Sequence, residues 1–271
     1  AADESSSTIQ SRFDDIGLPA TQEARQTYRE LLFTTAGLEE FISGVILYEE
    51  TLRSSSRSGV PFSELLKQKS ILVGIKADTG LVDLAGFPGE QITEGLDGLR
   101  TRLRDYASLG ARFAKWRAAI AVGPGLPTES CIRAHAHALA RYAALCQEIG
   151  MVPIVEPEIL MAGDHTIRQC QEATELTLRR VYAELGDHRV VLEGTLLKAS
   201  MVLSGSKCPE QPSVEEVAAA TVETLLRTVP SAVPGVVFLS GGQSPVQSTE
   251  HLNAMNALGR NPWELSFSYG R

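Results

Sequence analysis

The chain has 271 residues, which is long for an average domain and typical of a single α/β barrel. Hydrophobic residues make up 43% of it, and a net charge of −8 argues against nucleic-acid or anionic-membrane partners, because both need a basic face. Apolar runs stay well short of the roughly 20 residues that span a membrane, so we expect no membrane insertion.

Strand-like and helical segments alternate along the chain. Apolar, strand-like runs occupy residues 42–48, 71–76, 112–117, 151–156, 190–198, 235–240 and 264–269. Helix-start and helix-stop residues predict helices from Thr128 to Ile149 and from Asp164 to Leu185. The capping-box patterns Ser213-x-x-Glu216 and Ser244-x-x-Gln247 predict two further helix starts.

This alternation predicts parallel strands joined by right-handed crossovers. Seven strands are recognisable, and residues 1–3 read as the end of a partial first strand, so we predict an α/β fold of the (β/α)8 TIM-barrel type. We interpret residues 1–271 as a single barrel domain that is a fragment of a longer protein. An open doubly wound sheet is the alternative, although no GxGxxG loop follows an early strand.

Polar and charged residues stand at the C-terminal end of nearly every predicted strand. They are Asp3 and Glu4, Glu49 and Glu50, Lys76, Lys115 and Arg117, Glu156 and Glu158, Lys198, Ser240 to Gly242, and Gly270 with Arg271. Barrel active sites form at these strand ends, and side-chain alternation places Lys115 with Arg117 and Glu156 with Glu158. A single rim ion pair would explain one such residue, but burying so many charges is costly, so the set predicts an active site.

Lysines and carboxylates at one rim suit imine catalysis. Lys198, one of six lysines, closes an apolar segment, and a lysine attacks a carbonyl only as the free amine. Burial and a neighbouring cation such as Lys115 favour that form. Glu156 or Glu158 would then transfer the protons that release water.

Metal catalysis fits the sequence poorly. The histidines are His135, His137, His165, His188 and His251, and we expect all five to be solvated on helices or loops. The first two lie two positions apart on a predicted helix and do not share a face. The four cysteines form no CxxC pair, which favours reduced thiols in a cytoplasm-like compartment. We predict no metal and no cofactor.

The segment LSGGQS, residues 239–244, suggests a phosphate site. Two glycines followed by Ser244 at a helix start would expose backbone N–H groups to an anion, although a tight turn gives the same pattern. Arg271 on the next strand would complete a phosphate clamp. Arg12, Lys76 and Arg117 form a second basic set that would bind another phosphate.

Motifs along the whole chain resemble those of class I fructose-1,6-bisphosphate aldolases. They are AADES, RELLFTT, GVILYEETL, GIKADTG, LAGFPGE, GLDGLRTR, FAKWR, VPIVEPEIL, LEGTLLK, FLSGGQS and LSFSYGR. The resemblance implies a metal-independent Schiff-base barrel of glycolysis and gluconeogenesis that reversibly cleaves fructose 1,6-bisphosphate into dihydroxyacetone phosphate and glyceraldehyde 3-phosphate. It also implies a homotetrameric, cytoplasmic parent protein, with organellar targeting left open, and a last helix and C-terminal tail beyond Arg271.

The resemblance implies a role for each matching position. Lys198 would form the imine, Glu156 would transfer protons with Glu158 and Lys115 in support, and Asp3 would accept the C4 hydroxyl proton. One phosphate would be held by Ser240, Gly241, Gly242, Gly270 and Arg271. The other end of the sugar would be bound by Arg12, Lys76 and Arg117, although Ser11 stands where many relatives carry a second basic residue.

Two other functions stay open at this point. A transaldolase-like Schiff-base enzyme would share the barrel lysine, but we expect it to lack the LSGGQS and SYGR motifs. A non-catalytic scaffold is the second, because members of the resembling family also attach to cytoskeletal and membrane-pump proteins. The preferred substrate among fructose 1,6-bisphosphate, fructose 1-phosphate and sedoheptulose 1,7-bisphosphate also stays open.

Overall fold

A computed structural model describes residues 1–270, and their central layer is a curled parallel sheet of seven strands. The nine strands of the described residues are β1 (Gly44–Leu47), β2 (Leu72–Lys76), β3 (Gly80–Asp83), β4 (Gln91–Glu94), β5 (Phe113–Ile120), β6 (Val152–Ile159), β7 (Leu196–Ala199), β8 (Gly235–Phe238) and β9 (Glu264–Phe267). The large sheet has the order β1-β2-β5-β6-β7-β8-β9, and β3 pairs with β4 as a separate antiparallel hairpin.

Helices lie between the strands and cover the outside of the sheet. They are α1 (Ser6–Asp14), α2 (Gln22–Thr34), α3 (Glu49–Leu52), α4 (Phe62–Gln68), α5 (Leu99–Ser108), α6 (Glu129–Glu148), α7 (Ile167–Asp187), α8 (Val214–Thr228) and α9 (Pro245–Ala257). The long helix α6 packs against β5 and β6 of the sheet and against the neighbouring helix α7. None of the helices within residues 1–270 combines the length and apolarity needed to cross a bilayer.

Residues 1 and 2 lie between the first and last strands of the sheet. The Ala2 N–H donates to the Ile46 carbonyl at 2.9 Å, and Ala2 forms a parallel bridge with Leu47 on β1. The Ala1 nitrogen donates to the Tyr269 carbonyl at 2.7 Å, just beyond β9. These contacts bring the two edges of the sheet together, as the barrel prediction requires.

Alternation along β5 separates core residues from cavity residues. Trp116 is fully buried and packs against Tyr142 of α6, with ring centroids 5.6 Å apart. Lys115 and Arg117, its neighbours in sequence, face the opposite side of the strand. The Phe113 ring fills the space beneath Gly74 so closely that a Cβ at Gly74 would collide with it. Glycine on β2 therefore lets the strand pass over this ring.

The helix starts predicted from Thr128, Ser213 and Ser244 are confirmed, and in each case the hydroxyl accepts a backbone N–H of the first turn. The predicted start at Asp164 is wrong by two residues. Thr166 caps α7 instead, because its hydroxyl and the Gln169 side chain form a reciprocal capping box.

The predicted strand 190–198 is wrong over most of its length, since only its last residues belong to β7. The Gln147 side chain binds both the N–H and the carbonyl of Val191, at 2.9 and 2.7 Å, and so replaces the partners that a neighbouring strand would supply. A 3-10 turn from Leu192 to Gly194 follows. The hairpin of β3 and β4 was not predicted, because these short strands carry polar and half-exposed residues.

Candidate active site

A cavity of about 890 Å³ opens at the C-terminal ends of the strands. Eleven of the residues predicted for the site line it: Asp3, Arg12, Lys76, Lys115, Arg117, Glu156, Glu158, Lys198, Ser240, Gly241 and Gly270. Gly242 is not among the lining residues and follows Gly241 in the turn. Arg271 lies outside the described residues. The cavity volume is in the range of small-molecule sites, which is about 300–1,000 Å³.

Glu156 lies between two lysines at the centre of the cavity. Its Oε1 is 2.9 Å from Nζ of Lys198, and its Oε2 is 3.2 Å from Nζ of Lys115. All three residues are buried, with exposures of 2–4%. Because β6 supplies the carboxylate while β5 and β7 supply the lysines, three adjacent strands build this group. A carboxylate in this position can exchange protons with either lysine nitrogen and with a substrate atom bonded to that nitrogen.

The two lysines have different electrostatic surroundings. Nζ of Lys115 is 2.7 Å from Asp3, 3.2 Å from Glu156 and 4.0 Å from Asp78. Burial alone would lower the pKa of Lys115, but these three carboxylates outweigh it and raise the pKa above its ordinary value. Within residues 1–270, Lys198 forms an ion pair with Glu156 alone. The three carboxylates therefore hold Lys115 as a cation. Lys198 has fewer carboxylate partners than Lys115 within the described residues.

Asp3 is held as a carboxylate in this network. Burial raises its pKa, but the charges of Lys115 and Lys198 act more strongly and lower it below the usual range. Glu158 points to a different partner, since its Oε2 is 2.5 Å from Nε of Arg117. Of the two glutamates on β6, only Glu156 contacts a lysine within the described residues. This contact distinguishes Glu156 from Glu158, which the sequence had left as equal candidates for proton transfer.

The three basic side chains predicted to bind phosphate, Arg12, Lys76 and Arg117, already have carboxylate partners. Arg12 lies 2.5 Å from Glu4 and donates to the Gly270 carbonyl at 2.8 Å, and Lys76 lies 2.5 Å from Asp78. Among the described lining residues, six are acidic and six are basic. The charge of the cavity is therefore balanced, in contrast to the net charge of the chain.

The turn after β8 presents backbone donors to the cavity. Gly241 and Gly242 have φ values of 54° and 85°, which favour glycine, and within residues 1–270 no hydrogen bond uses either N–H. The following helix start is less available, because the capping box of Ser244 occupies the Ser244 and Gln247 N–H groups. The N–H groups of the loop, rather than those of the helix start, are therefore the donors that suit an anion here.

Sequence reasoning missed one acidic residue of the cavity, Asp78, and it missed the partners of another, Glu4. Asp78 is 7% exposed, binds Lys76 through Oδ1 and accepts the Arg117 N–H through Oδ2 at 3.2 Å. Asp78 stands two positions after Lys76, so the alternation of side chains along a strand would have placed both residues on the cavity side. Glu4 accepts from Arg12 and from the buried Arg29, at 2.5 and 2.6 Å. Arg29 lies in a helix far along the chain, so no local signal indicated this pairing.

The other acidic pair of the predicted rim is divided. Glu49 lines the cavity and accepts from the Tyr106 hydroxyl at 2.9 Å. Glu50 does not line it and instead forms an ion pair with Arg25 at 2.7 Å. Consecutive residues at the start of a helix point in different directions, which explains the division.

The expectation that all five histidines are solvated is wrong for three of them. His135, His165 and His251 are at most 6% exposed, because they lie on inward-facing sides of their segments, and burial lowers their pKa values. His135 donates to the Gln91 carbonyl at 2.8 Å, and His251 contacts the Gln243 amide oxygen at 2.6 Å. None of the three lines the cavity.

A curled parallel sheet with a buried lysine in contact with a buried carboxylate is the arrangement expected of an enzyme of the lysine-imine class. The comparisons with known proteins specify it further. The family model described as "Fructose-bisphosphate aldolase class-I" matches residues 1–271. The chain therefore belongs to the class I fructose-bisphosphate aldolases, and it is a carbon–carbon lyase that acts through a Schiff base.

Individual relatives agree with this family. The probable fructose-bisphosphate aldolase class 1 of Xanthomonas campestris is 59% identical over 271 residues, which cover all of this chain and 81% of that protein. The fructose-bisphosphate aldolase of Dictyostelium discoideum is 52% identical and is covered to 77%. A solved structure of the Plasmodium falciparum aldolase superposes with a TM-score of 0.98 at 50% identity, covering 100% of this chain and 78% of that one. The transaldolase-like alternative finds no support among these relatives.

Proposed function

We propose that Lys198 forms the imine in this aldolase and that Glu156 is its proton-transfer partner. The observation that carries the proposal is the 2.9 Å contact between Nζ of Lys198 and Oε1 of Glu156 in a buried setting. Lys115 is the alternative nucleophile, but three carboxylates stabilise it as an ammonium ion, which has no lone pair for attack. Its fixed charge instead supports the carboxylates around it.

The geometry suggests the order of events in the cleavage direction. Glu156 first takes a proton from Nζ of Lys198, and the neutral amine then attacks the C2 carbonyl to form a carbinolamine. The protonated Glu156 donates to the C2 hydroxyl, so that water leaves and the imine forms. Asp3 then accepts the C4 hydroxyl proton and the C3–C4 bond breaks. C4 becomes the aldehyde carbon of glyceraldehyde 3-phosphate, which leaves, and the electron pair of the broken bond moves into an enamine. Protonation and hydrolysis of that enamine release dihydroxyacetone phosphate and restore the amine.

The phosphates of the substrate would bind at opposite sides of the cavity. Ser240, Gly241 and Gly270 line one side, and Gly242 follows in the same turn, where N–H groups without a partner in residues 1–270 suit phosphate oxygens. Arg271 stays a prediction for the same phosphate. Arg12, Lys76 and Arg117 supply the other side. Each of these cations must exchange part of its contact with a carboxylate for contact with phosphate.

Family membership supports proposals for the assembly and the cellular setting of the protein. We propose that residues 1–271 form one barrel domain, that the full-length protein is a homotetramer, and that it works in the cytoplasm on a sugar phosphate. The cytosolic fructose-bisphosphate aldolase 4 of Arabidopsis thaliana is 53% identical to this chain over 272 residues, which supports the cytoplasmic setting. Size-exclusion chromatography with light scattering would test the tetramer.

Borohydride trapping tests the assignment of the imine. The protein is mixed with fructose 1,6-bisphosphate, reduced, digested and mapped by mass spectrometry, and we expect the sugar-phosphate adduct on Lys198. Lys115→Arg keeps the charge and should still be labelled at Lys198, whereas Lys198→Arg should not be labelled. Adduct on Lys115, or adduct in Lys198→Arg at wild-type yield, would refute the assignment. Activity should persist in EDTA, because no step uses a metal.

A further inference from the structure

We propose that His137, Glu184 and His188 form a binding site for Zn²⁺ on the outer surface of the barrel. His137 lies on α6, Glu184 lies on α7, and His188 is the residue that ends α7. Within residues 1–270 these three are the one group of His, Cys, Asp or Glu side chains whose candidate ligand atoms all lie within 4.8 Å of one another.

The distances suit a tetrahedral ion. Nδ1 of His137 is 3.4 Å from Oε2 of Glu184, which is long for a hydrogen bond between these atoms. Two ligand atoms that each lie about 2.0–2.2 Å from a tetrahedral zinc are separated by about 3.4 Å. The His137 and His188 rings are 5.0 Å apart between centroids, at an interplanar angle of 69°. Nδ1 of His188 lies 3.8 Å from Oε2 of Glu184, so rotation of the His188 side chain would be needed to present its other ring nitrogen to the same ion.

Neighbouring hydrogen bonds and ion pairs orient the side chains of His188 and Glu184. Nδ1 of His188 donates to the Glu184 carbonyl at 2.9 Å, and because a carbonyl only accepts, the lone pair of this ring is on Nε2. A backbone carbonyl that fixes the tautomer in this way is the usual support of a metal-binding histidine. Arg180 lies 3.4 Å from Oε1 of Glu184 and leaves Oε2 facing His137.

The chemistry and exposure of the group favour a transition-metal ion from solvent. Two imidazoles and one carboxylate suit Zn²⁺, whereas Mg²⁺ prefers oxygen ligands. The exposed fractions of the side chains are 52% for His137, 25% for His188 and 15% for Glu184, so an ion can enter while water fills a fourth position. None of the three lines the active-site cavity, so zinc would join α6 to α7 without taking part in cleavage.

Calorimetric titration of the EDTA-stripped protein with ZnCl₂ tests the site. We expect saturable binding of one zinc ion per chain and no comparable binding of MgCl₂. His137→Ala and Glu184→Gln should each weaken zinc binding by about tenfold or more, since even indirect contacts of a metal site are worth about 10–100-fold. The matched control Glu129→Gln removes an exposed carboxylate elsewhere on α6 and should bind zinc as the wild type does.

Thermal unfolding provides a second measurement. Zinc at about 100 times its Kd should raise the Tm of the wild type by about 5 °C or more, and should leave the Tm of His137→Ala nearly unchanged. Aldolase activity should be the same with and without zinc. Absence of saturable binding, or zinc affinity that both His137→Ala and Glu184→Gln leave intact, would overturn the proposal. That result would not affect the assignment of Lys198.

Discussion

Replacing Glu156 with glutamine tests the centre of the active site. The substitution keeps the shape of a side chain that is 2% exposed, but removes its charge and its capacity to exchange a proton. The carboxylate now offers one oxygen to Lys198 at 2.9 Å and the other to Lys115 at 3.2 Å. An amide has one oxygen and one NH₂ group, so either orientation directs NH₂ at an ammonium ion.

The substitution should lower both the rate of cleavage and the free energy of unfolding. Loss of a general acid–base group lowers the rate by about 10²–10⁴-fold, or about 2.7–5.5 kcal/mol of barrier. Breaking a buried ion pair on one side costs about 3–5 kcal/mol of unfolding free energy. Lys115 keeps its 2.7 Å contact with Asp3, so the loss falls mainly on Lys198, and we expect the lower end of that range.

Steady-state cleavage of fructose 1,6-bisphosphate measures the rate, and rapid quench measures the covalent intermediates. In Glu156→Gln the kcat should fall by about 10²–10⁴-fold and carbinolamine should accumulate, because water can no longer leave readily. Glu158→Gln is the matched control, since Glu158 contacts Arg117 and not a lysine, and its kcat should stay within about tenfold of the wild type. Near-normal turnover of Glu156→Gln, with collapse of Glu158→Gln, would transfer the role to Glu158.

Two further predictions concern stability. Gly74→Ala places a Cβ against the Phe113 ring, and the overpacked strand should lose about 1–3 kcal/mol of unfolding free energy, measured by denaturant titration; an unchanged midpoint would contradict the close approach. The pKa of Asp3 lies below its ordinary 3.8, because Lys115 and Lys198 outweigh the effect of burial. A carboxylate with a depressed folded pKa stabilises the fold above its unfolded pKa, so the advantage of the wild type over Asp3→Asn should shrink as the pH falls below about 4. A difference independent of pH between 3 and 6 would refute this linkage.

The sequence was sufficient to locate the cavity but not to pair its side chains. Alternation along each strand correctly placed Lys115 with Arg117 and Glu156 with Glu158 on the cavity side. The partners depend on the register between strands, which sets Arg117 opposite Glu156 and is decided by packing far along the chain. Spacing alone therefore could not show that Glu156 faces the lysines while Glu158 faces Arg117.

Strand boundaries failed where tertiary contacts replaced strand pairing. Residues 190–195 are apolar enough for a strand, but Gln147 binds the backbone at Val191 and prevents it. The reverse holds for the β3–β4 hairpin, whose pairing is stable although its sequence carries little apolar alternation. Glu4 and Arg29 illustrate the same limit in the site, because a helix 25 positions away supplies the guanidinium.

The equal numbers of acidic and basic groups around the cavity have a kinetic consequence. Beyond the Debye length, about 8 Å at physiological salt, the six acidic and six basic side chains that line the cavity within residues 1–270 nearly cancel, while the chain as a whole carries −8. From these described side chains we expect an approaching phosphate ester to gain little of the long-range attraction that accelerates association in steered enzymes. We therefore expect substrate capture at the rate of unsteered diffusion, with recognition beginning when phosphate oxygens compete with carboxylates at contact distance.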